Sequence, residues 1–133
     1  MTEYVLDAHA LIWMLEGNPR LGLAARAVLA DPKSSLILPI TALAEACWVV
    51  SKGRTSLADW RGVIQSVAAD PRVQVLPLDA AIVQQAMSLP VELEMHDGQI
   101  VATALVLSNH GRDVRLLTMD RSIAKSGLLP TVW

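Results

Sequence analysis

The sequence has a single cysteine, Cys47, so no intramolecular disulfide can form, and the chain fits a reducing compartment. No apolar stretch approaches the roughly 20 residues that cross a bilayer, because charges, glycine or proline interrupt each one. The opening Met1-Thr2-Glu3-Tyr4 has no basic region. No signal peptide is therefore expected, and the expected location is cytoplasmic. Basic charge is not in excess: 11 Lys and Arg face 13 Asp and Glu, for a net charge of -2 and a pI near 5.8. A general binder of polyanions is usually basic. A site that uses a metal escapes this argument, since the ion neutralises both carboxylates and phosphate. Contacts to a polyanion are then expected from a few residues such as Lys52, Arg54 and Arg121. Phenylalanine is absent, and Trp13, Trp48, Trp60 and Trp133 form no series of the kind that stacks single-stranded bases. They are expected to pack or to lie at an interface. There is no GxGxxG, P-loop, GxSxG or CxxC motif, no internal repeat and no low-complexity tract.

What is present is a 133-residue chain that is 53% hydrophobic, with a mean hydropathy of +0.40. It is expected to form one domain over residues 1–133 with a sizeable core. The apolar excess also points to surface that becomes buried in an oligomer or a partner. Proline and glycine punctuate the elements. Strands are expected at Thr2–Leu6, Ser35–Leu38, Val73–Pro77, Val114–Thr118 and Thr131–Trp133. Helices are expected at Ala8–Glu16, Leu21–Ala30, Thr41–Lys52 with Thr41 as cap, Ser56–Ala69, Asp79–Ser88, Asp97–Asn109 and Ser122–Ser126. Short strands alternating with helices indicate an α/β fold with a mainly parallel sheet.

Four carboxylates stand out in apolar surroundings: Asp7 after Tyr4-Val5-Leu6, Glu45 within Ala42–Val50, Asp97 before Ile100–Leu105, and Asp120 after Leu116–Met119. A charged carboxylate removed from water is costly unless it is paired, hydrogen-bonded or on a metal. Ligands in open α/β sheets bind beyond the carboxyl ends of the strands, where Asp7 and Asp120 lie. An all-oxygen set suits a hard divalent cation. Each acid also has a plainer reading. Asp7, Asp97 and Asp120 are in positions to cap helices, and Glu45 could pair with an arginine. His9 and His96 neighbour key acids and are expected to pack or hydrogen-bond, matching no zinc spacing. Thr118 reads either as a strand former or as a supporting hydroxyl, and Cys47 as a small core residue.

At these residues the chain resembles a PIN-domain ribonuclease, in particular the VapC-type toxins of bacterial toxin–antitoxin pairs. Val5-Leu6-Asp7-Ala8-His9-Ala10-Leu11-Ile12-Trp13 is similar to the first acidic motif, and Thr41-Ala42-Leu43-Ala44-Glu45-Ala46 to the second. Asp97-Gly98-Gln99-Ile100-Val101-Ala102-Thr103-Ala104 is similar to the third and Leu116-Leu117-Thr118-Met119-Asp120-Arg121 to the fourth. Many relatives carry a further acid shortly before the third-motif aspartate; here Glu94 is the candidate, within Glu92-Leu93-Glu94-Met95-His96. The resemblance implies a PIN-like, Rossmann-like three-layer sandwich with helices on both sides of a short sheet. It implies a Mg2+- or Mn2+-dependent endoribonuclease, a homodimer and a cognate antitoxin. It further implies that Asp7, Glu45, Asp97 and Asp120 are catalytic metal ligands, with Thr118 in support. Two alternatives differ in class. One is a degenerate domain that only binds partners. The other is an aspartate-nucleophile phosphatase, which usually needs a second acid two residues after the first, where this chain has His9.

Overall fold

The computed structural model describes residues 1–133. Strands β1 (Thr2–Leu6), β2 (Ser35–Pro39), β3 (Val73–Leu76), β4 (Asp113–Leu117) and β5 (Thr131–Val132) form one sheet in the order β3-β2-β1-β4-β5. Every neighbouring pair is parallel. Parallel neighbours need crossovers, and these are helical. The helices are α1 (Ala8–Glu16), α2 (Leu23–Ala30), α3 (Ile40–Ser51), α4 (Trp60–Ala69), α5 (Ala80–Met87), α6 (Met95–Asn109) and α7 (Arg121–Ser126). The result is the α/β sandwich of the expected PIN-like type. Val5, Leu6, Leu36, Ile37, Leu38, Leu116 and Leu117 are fully buried in the strands, as a sheet covered by helices requires.

The chain runs outward from β1 through β2 to β3, then returns to place β4 on the other side of β1. That reversal is a topological switch point, and it opens a crevice beyond the ends of β1 and β4. The register pairs Leu6 with Leu117, so Asp7 and Thr118 emerge side by side at the same level.

Several expected boundaries move, each for a tertiary reason. Helix α3 begins at Ile40 after Pro39, so Thr41 is inside it and not its cap. The buried Thr41 hydroxyl lies 2.9 Å from the Gln99 side chain and ties α3 to α6. Residues 56–59 are outside α4, because Asp59 caps it and Ser56 is held by Glu16. Helix α2 starts at Leu23, after an extended Gly22 against which the C-terminal Trp133 packs; a Cβ on Gly22 would meet Trp133 Cδ1 at 2.7 Å. Helix α6 begins at Met95, so Asp97 lies in its first turn and does not cap it. No helix is long and apolar enough to cross a membrane.

Candidate active site

Asp7 is the first residue past β1 and the cap of α1. Its Oδ1 accepts a hydrogen bond from the Ala10 amide at 2.8 Å. Burial pushes its carboxyl above the ordinary aspartate value, and the Ala10 amide and the Thr118 hydroxyl oppose that rise. Thr118, one residue past β4, is 3% exposed, and its Oγ1 also accepts the Asp120 amide at 3.1 Å. This buried hydroxyl thus holds the Asp120 backbone beside the end of β1, where Asp7 emerges. Asp120 caps α7, its Oδ1 receiving the amides of Ser122 at 2.8 Å and Ile123 at 3.3 Å. The capping reading of Asp7 and Asp120 is therefore correct and incomplete. Each cap uses one carboxylate oxygen and leaves the other for the crevice.

The other two acids come from helices. Glu45 lies on α3, whose Ala42 and Ala46 are fully buried and let the helix sit close to its neighbours. Asp97 lies on α6, whose cap position, Glu94, makes no side-chain hydrogen bond. The Thr41–Gln99 bond fixes the two helices where these acids face each other.

Asp7, Glu45, Glu94, Asp97, Thr118 and Asp120 line one cavity of about 540 Å3, with Arg20, His9, Trp13 and Met119 completing its wall. All four acids singled out from sequence are in it, and Glu94 joins them. His96 is outside, beside Trp48 and Glu45 on the adjoining surface. His9 packs its ring 5.5 Å from Trp13. Cys47 is partly buried against the core.

The electrostatics separate this cavity from the rest of the surface. The chain's three ion pairs are Arg61–Asp59, Arg72–Asp70 and Arg112–Glu3, and none involves a cavity acid. Glu45 therefore has no arginine partner, which removes its plainer reading. Asp97 is pushed up to about 6, first by burial and then by the charges of Glu45, Asp120, Asp7 and Glu94. Such mutual repulsion is what a set of carboxylates shows when it lacks a counter-cation.

No three His, Cys, Asp or Glu side chains are gathered tightly enough to clasp an ion as they stand. The donor set nevertheless fits a hard divalent cation: it is all carboxylate and hydroxyl oxygen, unpaired by arginine or lysine. An added cation would offset the repulsion that now raises Asp97.

Sequence reasoning missed Arg20. No motif marks it, because its place depends on how the chain turns after α1. Gly17 ends that helix in the left-handed conformation, at φ 64°, and the Asn18 side chain accepts the Arg20 amide at 2.9 Å. The turn carries the guanidinium back to 5.9 Å from the Trp13 ring.

The fold is shared with known proteins. The chain superposes on VapBC2 from Rickettsia felis, bound to a DNA fragment from its promoter, with TM-score 0.70, 15% identity and coverage of 98% of this chain and 97% of that one. It is similar to Mycobacterium tuberculosis VapC20, a Sarcin-Ricin loop cleaving toxin, with TM-score 0.68, 17% identity and coverage of 94% and 95%. For VapBC-1 of nontypeable Haemophilus influenzae the values are 0.61, 20%, 98% and 96%. Among curated proteins none is significantly similar in sequence. At such identities the superpositions establish the fold alone, but the PIN domain profile matches residues 4–127, nearly the whole chain. The chain belongs to the PIN domain family.

Proposed function

We propose that this protein is a Mg2+- or Mn2+-dependent endoribonuclease that acts as the cytoplasmic toxin of a toxin–antitoxin pair. The observation that carries the reading is the convergence of Asp7, Glu45, Asp97 and Asp120, without a basic partner, at the switch point of a PIN-family sheet. Asp7 and Asp97 would hold the ion directly. Glu45 and Asp120 would hold it directly or through water, with Glu94 at the rim. When bound, a divalent ion supplies positive charge to the scissile phosphate and makes water acidic enough to attack at neutral pH.

The chain's own residues do the rest. Thr118 is a positioning residue: its hydroxyl accepts the Asp120 amide and sets where that aspartate leaves β4, beside Asp7. The two caps fix one oxygen of each of these aspartates, so the free oxygens keep a constant direction. Asp97, near 6, is protonated in part just below neutrality and must lose that proton to serve as a ligand. Cleavage should therefore fall as pH drops through that value.

RNA is favoured over DNA as substrate by the likeness to VapC20, a Sarcin-Ricin loop cleaving toxin. An antitoxin partner is favoured by the VapBC assemblies among the similar structures. The exposed apolar side chains of Trp48, Met87 and Met95 offer surface for that partner and for a homodimer. The test is expression in bacteria. Wild-type protein should arrest growth, Glu45→Gln should not, and a co-expressed cognate antitoxin should relieve the arrest. Equal growth with soluble wild type and Glu45→Gln would refute the toxin reading.

A further inference from the structure

The acidic cavity does not end at its own wall. His9, Trp13 and Arg20 also line a second groove, of about 750 Å3, that runs from the cavity along α1 to the segment after α3. At its far side stands Arg54. Arg20 and Arg54 are both exposed, and neither belongs to any of the three ion pairs. Two guanidinium groups free of ion pairs therefore line one groove that opens from the acidic cavity.

The groove is also built. Gly53 takes φ 70°, turning the chain out of α3 towards α1. The Glu16 carboxylate, at the end of α1, accepts the Ser56 amide at 2.7 Å and the Ser56 hydroxyl at 2.6 Å. The Asn18 side-chain amide donates to the same carboxylate at 3.1 Å. Three donors thus occupy the one acid in the groove and clamp the Arg54 segment against α1. Each guanidinium has an aromatic support: Arg20 lies 5.9 Å from the Trp13 ring and Arg54 5.4 Å from the Trp48 ring. Lys52 lies 5.5 Å from the same Trp48 ring and adds a third cation near the far end of the groove. Cations spaced along a narrow groove suit the charged backbone of a single nucleic-acid strand. A duplex needs contacts spread over a broad surface.

We propose that this groove carries the RNA strand away from the acidic cavity, with Arg20 and Arg54 binding backbone phosphates of that strand. The inference rests on the ribonuclease reading and adds to it a direction of approach and two binding residues. Arg20, at the junction of cavity and groove, would hold the phosphate nearer the scissile bond. Arg54 would hold one further along.

The test separates binding from cleavage. A fluorescent 12-nucleotide single-stranded RNA is titrated with wild-type protein in EDTA over a range of salt, using anisotropy. The Arg20→Ala/Arg54→Ala double variant should bind about tenfold more weakly at low salt, and its log–log salt slope should be shallower by about 1.4, for two lost contacts. Lys33→Ala, an exposed cation on the α2–β2 connection, should behave as wild type. Replacing both arginines by lysine should restore most of the slope, since charge is kept. A double variant that binds RNA as Lys33→Ala does overturns the proposal, as does wild type that binds no RNA at low salt. So does loss confined to a length-matched acidic peptide, which would make the groove a protein site. Absence of Mn2+-supported cleavage by wild type would count against the ribonuclease reading while leaving these binding results to be read separately.

Discussion

Replacing Asp97 by Asn removes one charge and little else, because Asp97 caps nothing and makes no hydrogen bond across its side chain. Its rise from 3.8 to about 6 means that folding holds this carboxyl in a place that resists its charge. Taken whole, a shift of that size corresponds to about 3 kcal/mol against the charged folded state. The group is half exposed, so solvent screening reduces this to about 1.5 kcal/mol. A carboxylate in the first turn of a helix gains about 0.3–1 kcal/mol from the helix dipole, which Asn forgoes. The metal-free variant should therefore be about 0.5–1 kcal/mol more stable than wild type at pH 8, melting about 2–4 °C higher. The folded wild type holds the Asp97 proton more tightly than the unfolded chain does. This group's penalty thus grows as pH rises from 3.8 to about 6, and the gain from Asn should vanish below that window. Mn2+ should reverse the order. Wild type gains up to about 2.7 kcal/mol at a hundredfold excess over the dissociation constant, and the variant should lose most of that. Thermal melts at pH 4 and pH 8, with and without Mn2+, read all of this. A variant that melts below wild type at pH 8 in EDTA, or that keeps the full Mn2+ shift, refutes the shared-site reasoning for this residue.

Two further substitutions test single hydrogen-bonded contacts, one in the cavity and one remote from it. Thr118→Val should cost about 1–2 kcal/mol of stability by leaving the Asp120 amide unpaired, and should reduce cleavage more than substrate binding; equal loss of both would indicate a merely structural role. Glu3→Gln should cost about 1 kcal/mol at neutral pH, discounting for the exposure of Arg112, as read by urea denaturation. The Arg112 guanidinium holds the Glu3 carboxyl below its ordinary 4.5, so this cost should persist above that pH and disappear as pH falls through the lowered value.

The four acids were legible in the sequence because each is an isolated charge beside apolar runs that become buried elements. Helix α1 was legible to the residue, since Asp7 and Gly17 carry strong local cap signals. The start of α6 was not, because Glu94 occupies the cap position without making the bond that a cap signature implies. Thr41 looks like a cap locally, but its hydroxyl serves a bond to Gln99, 58 residues away. Neither Arg20 nor the Glu16–Ser56 clamp has a local signal; both depend on two turns meeting beside α1. Glu94 carried a hint in its nearness to Asp97, and the fold puts it on the cavity wall.

The central claim is that the converging carboxylates cleave RNA only with a hard divalent cation in place. The direct measurement is a time course of RNA cleavage by purified protein in Mn2+, after exhaustive EDTA, and after Mn2+ is restored, beside Asp7→Asn under the same conditions. Cleavage should occur in Mn2+, stop on chelation, return on restoration, and be absent throughout from Asp7→Asn. Cleavage that survives EDTA, or that Asp7→Asn carries out as wild type does, would contradict the claim.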